Sequence, residues 1–201
     1  EETKKLVSIL GNEVVEEFPW FDKMKPSTDN NVDGVLRRSW MPALSIVGAN
    51  GLPPSENAGN VLRPYTELQL SMRIPPLVDP KKAVNAIRDA LLSDSPYNAY
   101  INVDFEEAAS GWNAPKTSDW LLDSINSASL NFYGEPACSL SEGGTIPFMA
   151  MLGEQFPSAQ FVITGVLGPG SNAHGPNEFL HIPYAKKLTA CIASILKDFP
   201  T

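Results

Sequence analysis

One histidine sits at the centre of a stretch dense in glycine and proline, Gly165-Val-Leu-Gly-Pro-Gly-Ser-Asn-Ala-His174-Gly-Pro-Asn-Glu178. Its glycines admit backbone angles closed to other residues, while Pro169 and Pro176 fix φ and remove donors. A stiff loop that holds an imidazole suits a metal ion or a reacting group. The plainer alternative is a tight turn with a solvent-facing histidine. One imidazole cannot by itself build a site of three or four ligands, and Cys138 and Cys191 show no ligand spacing with it.

Two further groups stand out. Ser141-Glu142-Gly143-Gly144-Thr145 precedes Ile146-Pro147, a pattern that puts free N–H groups of a helix start beside glycines a ligand can approach closely. The same residues also read as a capped turn, with Thr145 as N-cap. Arg73 lies on the polar face of an alternating strand just before Pro75-Pro76. There its guanidinium can clamp a carboxylate with two hydrogen bonds or stand as an ordinary surface charge.

Two familiar mechanisms fit poorly, and the first is rejected. Gly168-Pro-Gly170-Ser-Asn-Ala173 formally matches a nucleotide-binding fingerprint, but that motif needs a helix to begin at the loop. Here Pro176 intervenes and the next helix is expected only near Pro183. No G-x-S-x-G occurs, which argues against a serine hydrolase of that type.

The elements that must position these residues follow from periodicity. Leu6, Ile9, Leu10, Val14, Val15 and Phe18 predict a helix over 3–18, on which Glu16-Glu17 forms a solvated face. A short helix is expected at 32–38. A strand is expected over 43–47, and a second, strictly alternating one over 66–74 with Leu68, Leu70, Met72 and Ile74 on a half-buried face. Asp79-Pro80 caps a helix that buries Val84, Ile87, Ala90 and Leu91, and 99–105 reads as a third strand. This half is an α+β unit with an antiparallel sheet. After a composition shift at 108–115, a helix is expected over 117–132, closed by Gly134. Strands follow at 137–140 and 160–167, with helices near 146–155 and from Pro183 onward. That half has α/β character with too few strands for a sheet of its own, as in part of a larger layer.

Composition narrows the class of partner. The 201 residues carry a net charge of −8, which argues against nucleic acid and anionic membranes as partners. No apolar run is long enough to span a bilayer. The two cysteines read as buried free thiols of a reducing compartment, so a cytoplasmic protein is expected, with a single disulfide as the alternative.

Taken in order, Asn60-Val-Leu-Arg-Pro64, Leu70-Ser-Met-Arg73, Glu142-Gly-Gly-Thr-Ile-Pro147 and Ala173-His-Gly-Pro-Asn-Glu178 resemble the C-terminal half of an M20-family metallopeptidase. The carnosinase and aminoacyl-dipeptidase branch is the nearest likeness, and it covers essentially residues 35–201. The resemblance implies a catalytic α/β domain around two metal ions, zinc or else manganese or cobalt, with an inserted ferredoxin-like lid that commonly forms homodimers. Residues 1–110 then correspond to the lid, incomplete at its N-terminus, and 111–201 to the final segment of the catalytic domain. By motif, His174 matches the family's last metal ligand and Arg73 the lid arginine that holds a substrate carboxylate. Asn60 matches a polar lid residue facing substrate, and Glu142, Gly143 and Thr145 match the loop lining the substrate site. The other metal ligands and the general base belong to an N-terminal half without counterpart here, so no catalytic residue is assigned. The expectation is part of a zinc peptidase acting on dipeptides or short peptides with a free carboxylate, inactive alone. The competing expectations are a non-enzymatic dimerisation module and an N-acyl-amino-acid deacylase of the same family.

Overall fold

The computed structural model describes residues 1–142, 147–168 and 170–200. The order is α1 (Glu2–Leu10), α2 (Glu13–Glu16), α3 (Asn31–Ser39), β1 (Ala43–Asn50), β2 (Glu67–Arg73), α4 (Pro80–Leu92), α5 (Asp119–Tyr133), α6 (Pro147–Gln155) and α7 (Ile182–Lys197). The fold is α+β. Two compact units divide the chain: Glu1–Asn113 with Leu140–Leu152, and Ala114–Ser139 with Gly153–Thr201.

In the first unit, the helix expected over 3–18 is broken. Gly11 adopts φ 57° and ψ −125° and ends α1, a positive-φ conformation in which glycine carries no steric penalty. α3 starts where Asn30 Oδ1 accepts from the backbone amides of Val32 and Asp33, at 3.0 and 3.1 Å, an N-cap that satisfies two otherwise orphaned donors. Leu6, Val14 and Val35 form the buried cluster joining these helices. Glu16 and Glu17 are exposed, as expected of a solvated face, and Glu17 also pairs with Arg38, whose guanidinium lies 5.3 Å from the centre of the Phe18 ring.

β1 and β2 form an antiparallel pair in which Leu44, Ile46 and Ala49 face Met72, Leu70 and Leu68. β1 runs to Asn50, beyond the expected end at Val47, because Val47 is taken up as a bulge between Ile46 and Gly48. The extra residue restores the register and keeps apolar residues on one face. On the other face Asn50 Nδ2 donates to Glu67 Oε1 at 2.8 Å. Gly51, at φ 79°, touches Tyr65 so closely that a Cβ there would lie 2.4 Å from the Tyr65 carbonyl oxygen. The 52–64 loop is thus pinched at its neck.

The apolar face is less covered than alternation suggests: Leu70 and Met72 remain 43% and 42% exposed. On α4, Val84 and Ile87 are half-buried while Ala90 and Leu91 are exposed. A two-stranded hairpin has too little surface of its own to exclude water from a sheet face. The third expected strand, 99–105, has no ladder among the described residues. Arg88 of α4 stacks over its Phe105 ring at 5.0 Å instead.

The second unit is built on α5 and α7. Leu121, Ala128, Cys191 and Ile195 form its core, and Leu121 is only 2% exposed. α5 ends at Gly134, φ 87°, whose amide donates to the carbonyls of Ser129 and Leu130. Ser124 Oγ donates to Asp198 Oδ2 at 2.8 Å and so pins the start of one helix to the end of the other. The strands expected at 137–140 and 160–167 are not formed among the described residues. Apolar runs become strands only where neighbours accept their ladder hydrogen bonds, and none is described beside them. For the same reason Cys138 is exposed rather than buried, whereas Cys191 is buried, and both thiols are free.

Candidate functional site

The His174 loop runs from Leu167 to the N-terminus of α7 and is held at two levels. At its base the amide of His181 donates to the Leu167 carbonyl at 2.7 Å, and that of Phe179 to the Ser171 carbonyl at 3.1 Å. Ser171 is 4% exposed, and its hydroxyl lies 2.7 Å from both the Leu167 and Gly168 carbonyl oxygens. At the tip, Asn172 Nδ2 donates to the Pro176 carbonyl at 2.6 Å, and the Gly175 amide donates to the Asn172 carbonyl at 2.9 Å. The His174 amide donates to Glu178 Oε2 at 2.8 Å.

This bonding imposes an unusual backbone. Asn172, His174 and Asn177 have φ of 55°, 61° and 59°, alongside Gly168 at 88° and Gly170 at 68°. Non-glycine residues adopt such angles only a few per cent of the time, at roughly 1–3 kcal/mol each, and they concentrate at functional sites. Asparagine tolerates the region through its short side chain, and histidine too is found there more often than most residues. The exposed imidazole of His174 is therefore presented by a backbone fixed in advance.

Below the loop, α7 is joined to α5. Tyr133 Oη donates to the Tyr184 carbonyl at 3.1 Å, and burial pushes the Tyr133 hydroxyl pKa up. Burial likewise raises the pKa of the Cys191 thiol, whose Sγ lies 3.5 Å from the Ala128 carbonyl oxygen.

The other residues singled out by sequence lie in the first unit. Arg73 ends β2, paired across the ladder with Ala43. Asn60 lies exposed in the pinched loop between the strands, and Glu142 is exposed. Gly143 and Thr145 fall outside the described residues. β2 advances about 20 Å from Glu67, where the Asn60 loop enters, to Arg73, so the two positions join the hairpin at opposite ends. Among the described residues no three His, Cys, Asp or Glu side chains cluster so as to hold a metal. The donor chemistry of His174 fits one ligand, not a whole site.

Sequence reasoning passed over His181 and the two asparagines. Each had a signal: Pro183 marks a helix's first turn, within a residue or two of its N-cap, and asparagine within a glycine-rich loop favours left-handed backbone.

No family model matches the chain. Over 155 residues it is 26% identical to a cysteinylglycine-S-conjugate dipeptidase of Corynebacterium striatum, a match that covers 72% of this chain and 33% of that protein. The di-peptidase Dug1p of Saccharomyces cerevisiae superposes with a TM-score of 0.67 at 18% identity, covering 100% of this chain and 40% of that one. An M20 family metallo-carboxypeptidase of Sulfolobus solfataricus, Sso-CP2, gives 0.67 at 17% identity, with 97% and 42% covered. Human carnosine dipeptidase 1 gives 0.64 at 18%, with 92% and 41% covered. The chain thus spans about a third of the curated relative and two-fifths of the solved structures. No described helix is long and apolar enough to cross a membrane. In fold the chain is similar to part of these solved peptidases, one of them an M20 family metallo-carboxypeptidase, and in sequence to part of a dipeptidase.

Proposed function

We propose that this chain is the lid and the final catalytic segment of a zinc-dependent M20 peptidase that hydrolyses dipeptides or short peptides bearing a free carboxylate. Residues 1–110 supply the lid and 111–201 the catalytic segment. The observation that carries the reading is the His174 loop, where a histidine is held in the left-handed region with its amide tied to Glu178. Its motif matches the last metal ligand of the family.

Each side chain then has a task. His174 contributes one neutral imidazole to a two-metal site completed by residues beyond this chain. Arg73 binds the substrate carboxylate through a charge-assisted fork. Asn60 and Glu142, with Gly143 and Thr145, orient the peptide. A bound metal supplies polarisation of the scissile carbonyl and a water acidic enough to attack at neutral pH. The general base that takes the proton belongs to the part of the enzyme this chain does not span.

The decisive experiment compares a protein of the relatives' full length with its His174→Ala variant and with this chain alone. Metal content and dipeptide hydrolysis are both measured. The full-length protein is expected to hold metal and cleave, the variant to lose both, and this chain to cleave nothing. Metal-dependent hydrolysis by this chain alone would sink the reading.

A second reading, an interaction module that dimerises through the lid without activity, is favoured by the exposed apolar face of Leu44, Ile46, Leu70 and Met72. A full-length protein that dimerises but holds no metal supports it. An N-acyl-amino-acid deacylase shares the Arg73 carboxylate contact and is separated from a peptidase by assay with acylated amino acids. Two free thiols support a cytoplasmic setting.

A further inference from the structure

The residue that closes the His174 loop is itself a histidine. His181 is the N-cap of α7, at φ −76° and ψ 91°, and its side chain accepts from the Tyr184 amide at 3.1 Å through Nδ1. Helix caps are ordinarily Ser, Thr, Asp or Asn. A histidine does this work only as a neutral imidazole with Nδ1 bare and the proton on Nε2, since a backbone N–H can only donate.

Three contacts converge on this one residue. Its amide donates to the Leu167 carbonyl at 2.7 Å and shuts the loop. Its side chain fixes the first turn of α7, and Tyr184, whose amide it holds, carries the bond from Tyr133 of α5. Its Cβ occupies space that a side chain at Gly168 would need, as a Cβ there would lie 2.7 Å away. Gly168 begins the bend that leads to His174. The backbone that presents His174 is thereby referenced to the α5–α7 core through His181.

We infer that His181 is a positioning residue for the His174 loop, acting as a neutral imidazole cap that couples the loop's closure to the first turn of α7. The importance of the loop rests on the function proposed above. The coupling itself does not, and it is read in the metal-free chain.

Amide hydrogen exchange, followed by mass spectrometry, compares wild type with His181→Ala and His181→Asn. In His181→Ala the peptide spanning 168–180 is expected to exchange roughly fivefold faster, the factor that loss of a helix cap gives. The α5 peptide should be unchanged. His181→Asn, whose Oδ1 can accept the same amide, should restore slow exchange. Unchanged loop exchange in His181→Ala, or an Asn variant as fast as the Ala variant, overturns the inference. A second measurement needs no substitution: nitrogen NMR of the wild-type imidazole should place the proton on Nε2, and a protonated Nδ1 overturns the inference even if a variant fails to fold. Loss of metal binding in His174→Ala bears on the proposed function alone, so the two failures are distinguishable.

Discussion

The amide of His174 is held by the carboxylate of Glu178, four residues along the chain, at 2.8 Å. A charged acceptor on a backbone N–H makes a bond roughly twice as strong as a neutral one. It holds the left-handed φ of 61° that aims the imidazole, so Glu178 acts on any ligand of His174 without touching it.

Glu178→Ala in the full-length protein should weaken metal binding by about tenfold, the low end of what outer partners of metal ligands contribute. Glu178→Gln, which keeps an oxygen acceptor, should weaken it less. Competition with a chromophoric chelator measures both. Equal affinities for wild type and the Ala variant would remove Glu178 from this role.

Arg73→Ala in the full-length protein should raise KM for peptides with a free carboxylate by roughly 10–100-fold, the worth of a charge-assisted hydrogen-bond pair. Substrates amidated at that end should be nearly indifferent to the change. The kinetics of the two substrate types against both proteins decide it, and an equal rise for both would place Arg73 outside the carboxylate contact.

Asp79 gives a pH dependence with a definite sign. Its carboxylate accepts from the amides of Lys82 and Lys81, at 3.1 and 2.9 Å, and the Lys82 bond is the larger cause holding its pKa below the ordinary 3.8. A depressed folded-state value means the cap stabilises α4 fully above 3.8 and is lost as pH falls through the lower folded value. Acid titration followed by circular dichroism should therefore show helix loss in wild type at strongly acidic pH. Asp79→Asn caps without a charge, so that step should be reduced in it. Identical titrations would exclude the linkage.

The thiols should differ in reactivity. Cys138 is exposed and Cys191 buried, with the Cys191 thiol made less acidic by burial, and only a thiolate is a good nucleophile. A maleimide reagent should label Cys138 alone on the native chain and both residues after unfolding. Intact-mass measurement counts the labels. Native labelling of Cys191 would contradict the α5–α7 core.

Much of this was legible beforehand where the cause is local. The alternation of 66–74, the Asp79-Pro80 cap and the Gly134 stop depend on neighbouring residues, and the structure places β2, α4 and the end of α5 accordingly. The β1 bulge was hidden because it depends on register against β2. The expected strands at 99–105, 137–140 and 160–167 failed because a strand is completed by a neighbour that its own residues do not specify. In the candidate site, the glycines and prolines around His174 declared a stiff loop. His181, by contrast, resembled an ordinary helix-start residue until its Nδ1 bond to Tyr184 was seen. Glu17 is exposed as expected, while its pairing with Arg38, 21 residues away, had no local signal.

The contact between Gly51 and Tyr65 has an evolutionary corollary. Because the connection is cinched at its root, residues can be gained or lost within 52–64 without shifting how β1 registers on β2. Closing a longer excursion costs little, about 0.6 kcal/mol per doubling of length. The hairpin can thus serve as a fixed handle while the segment that carries Asn60 is lengthened, shortened or re-sequenced. If Asn60 faces substrate as proposed, substrate preference among related proteins can diversify there without any change to the sheet.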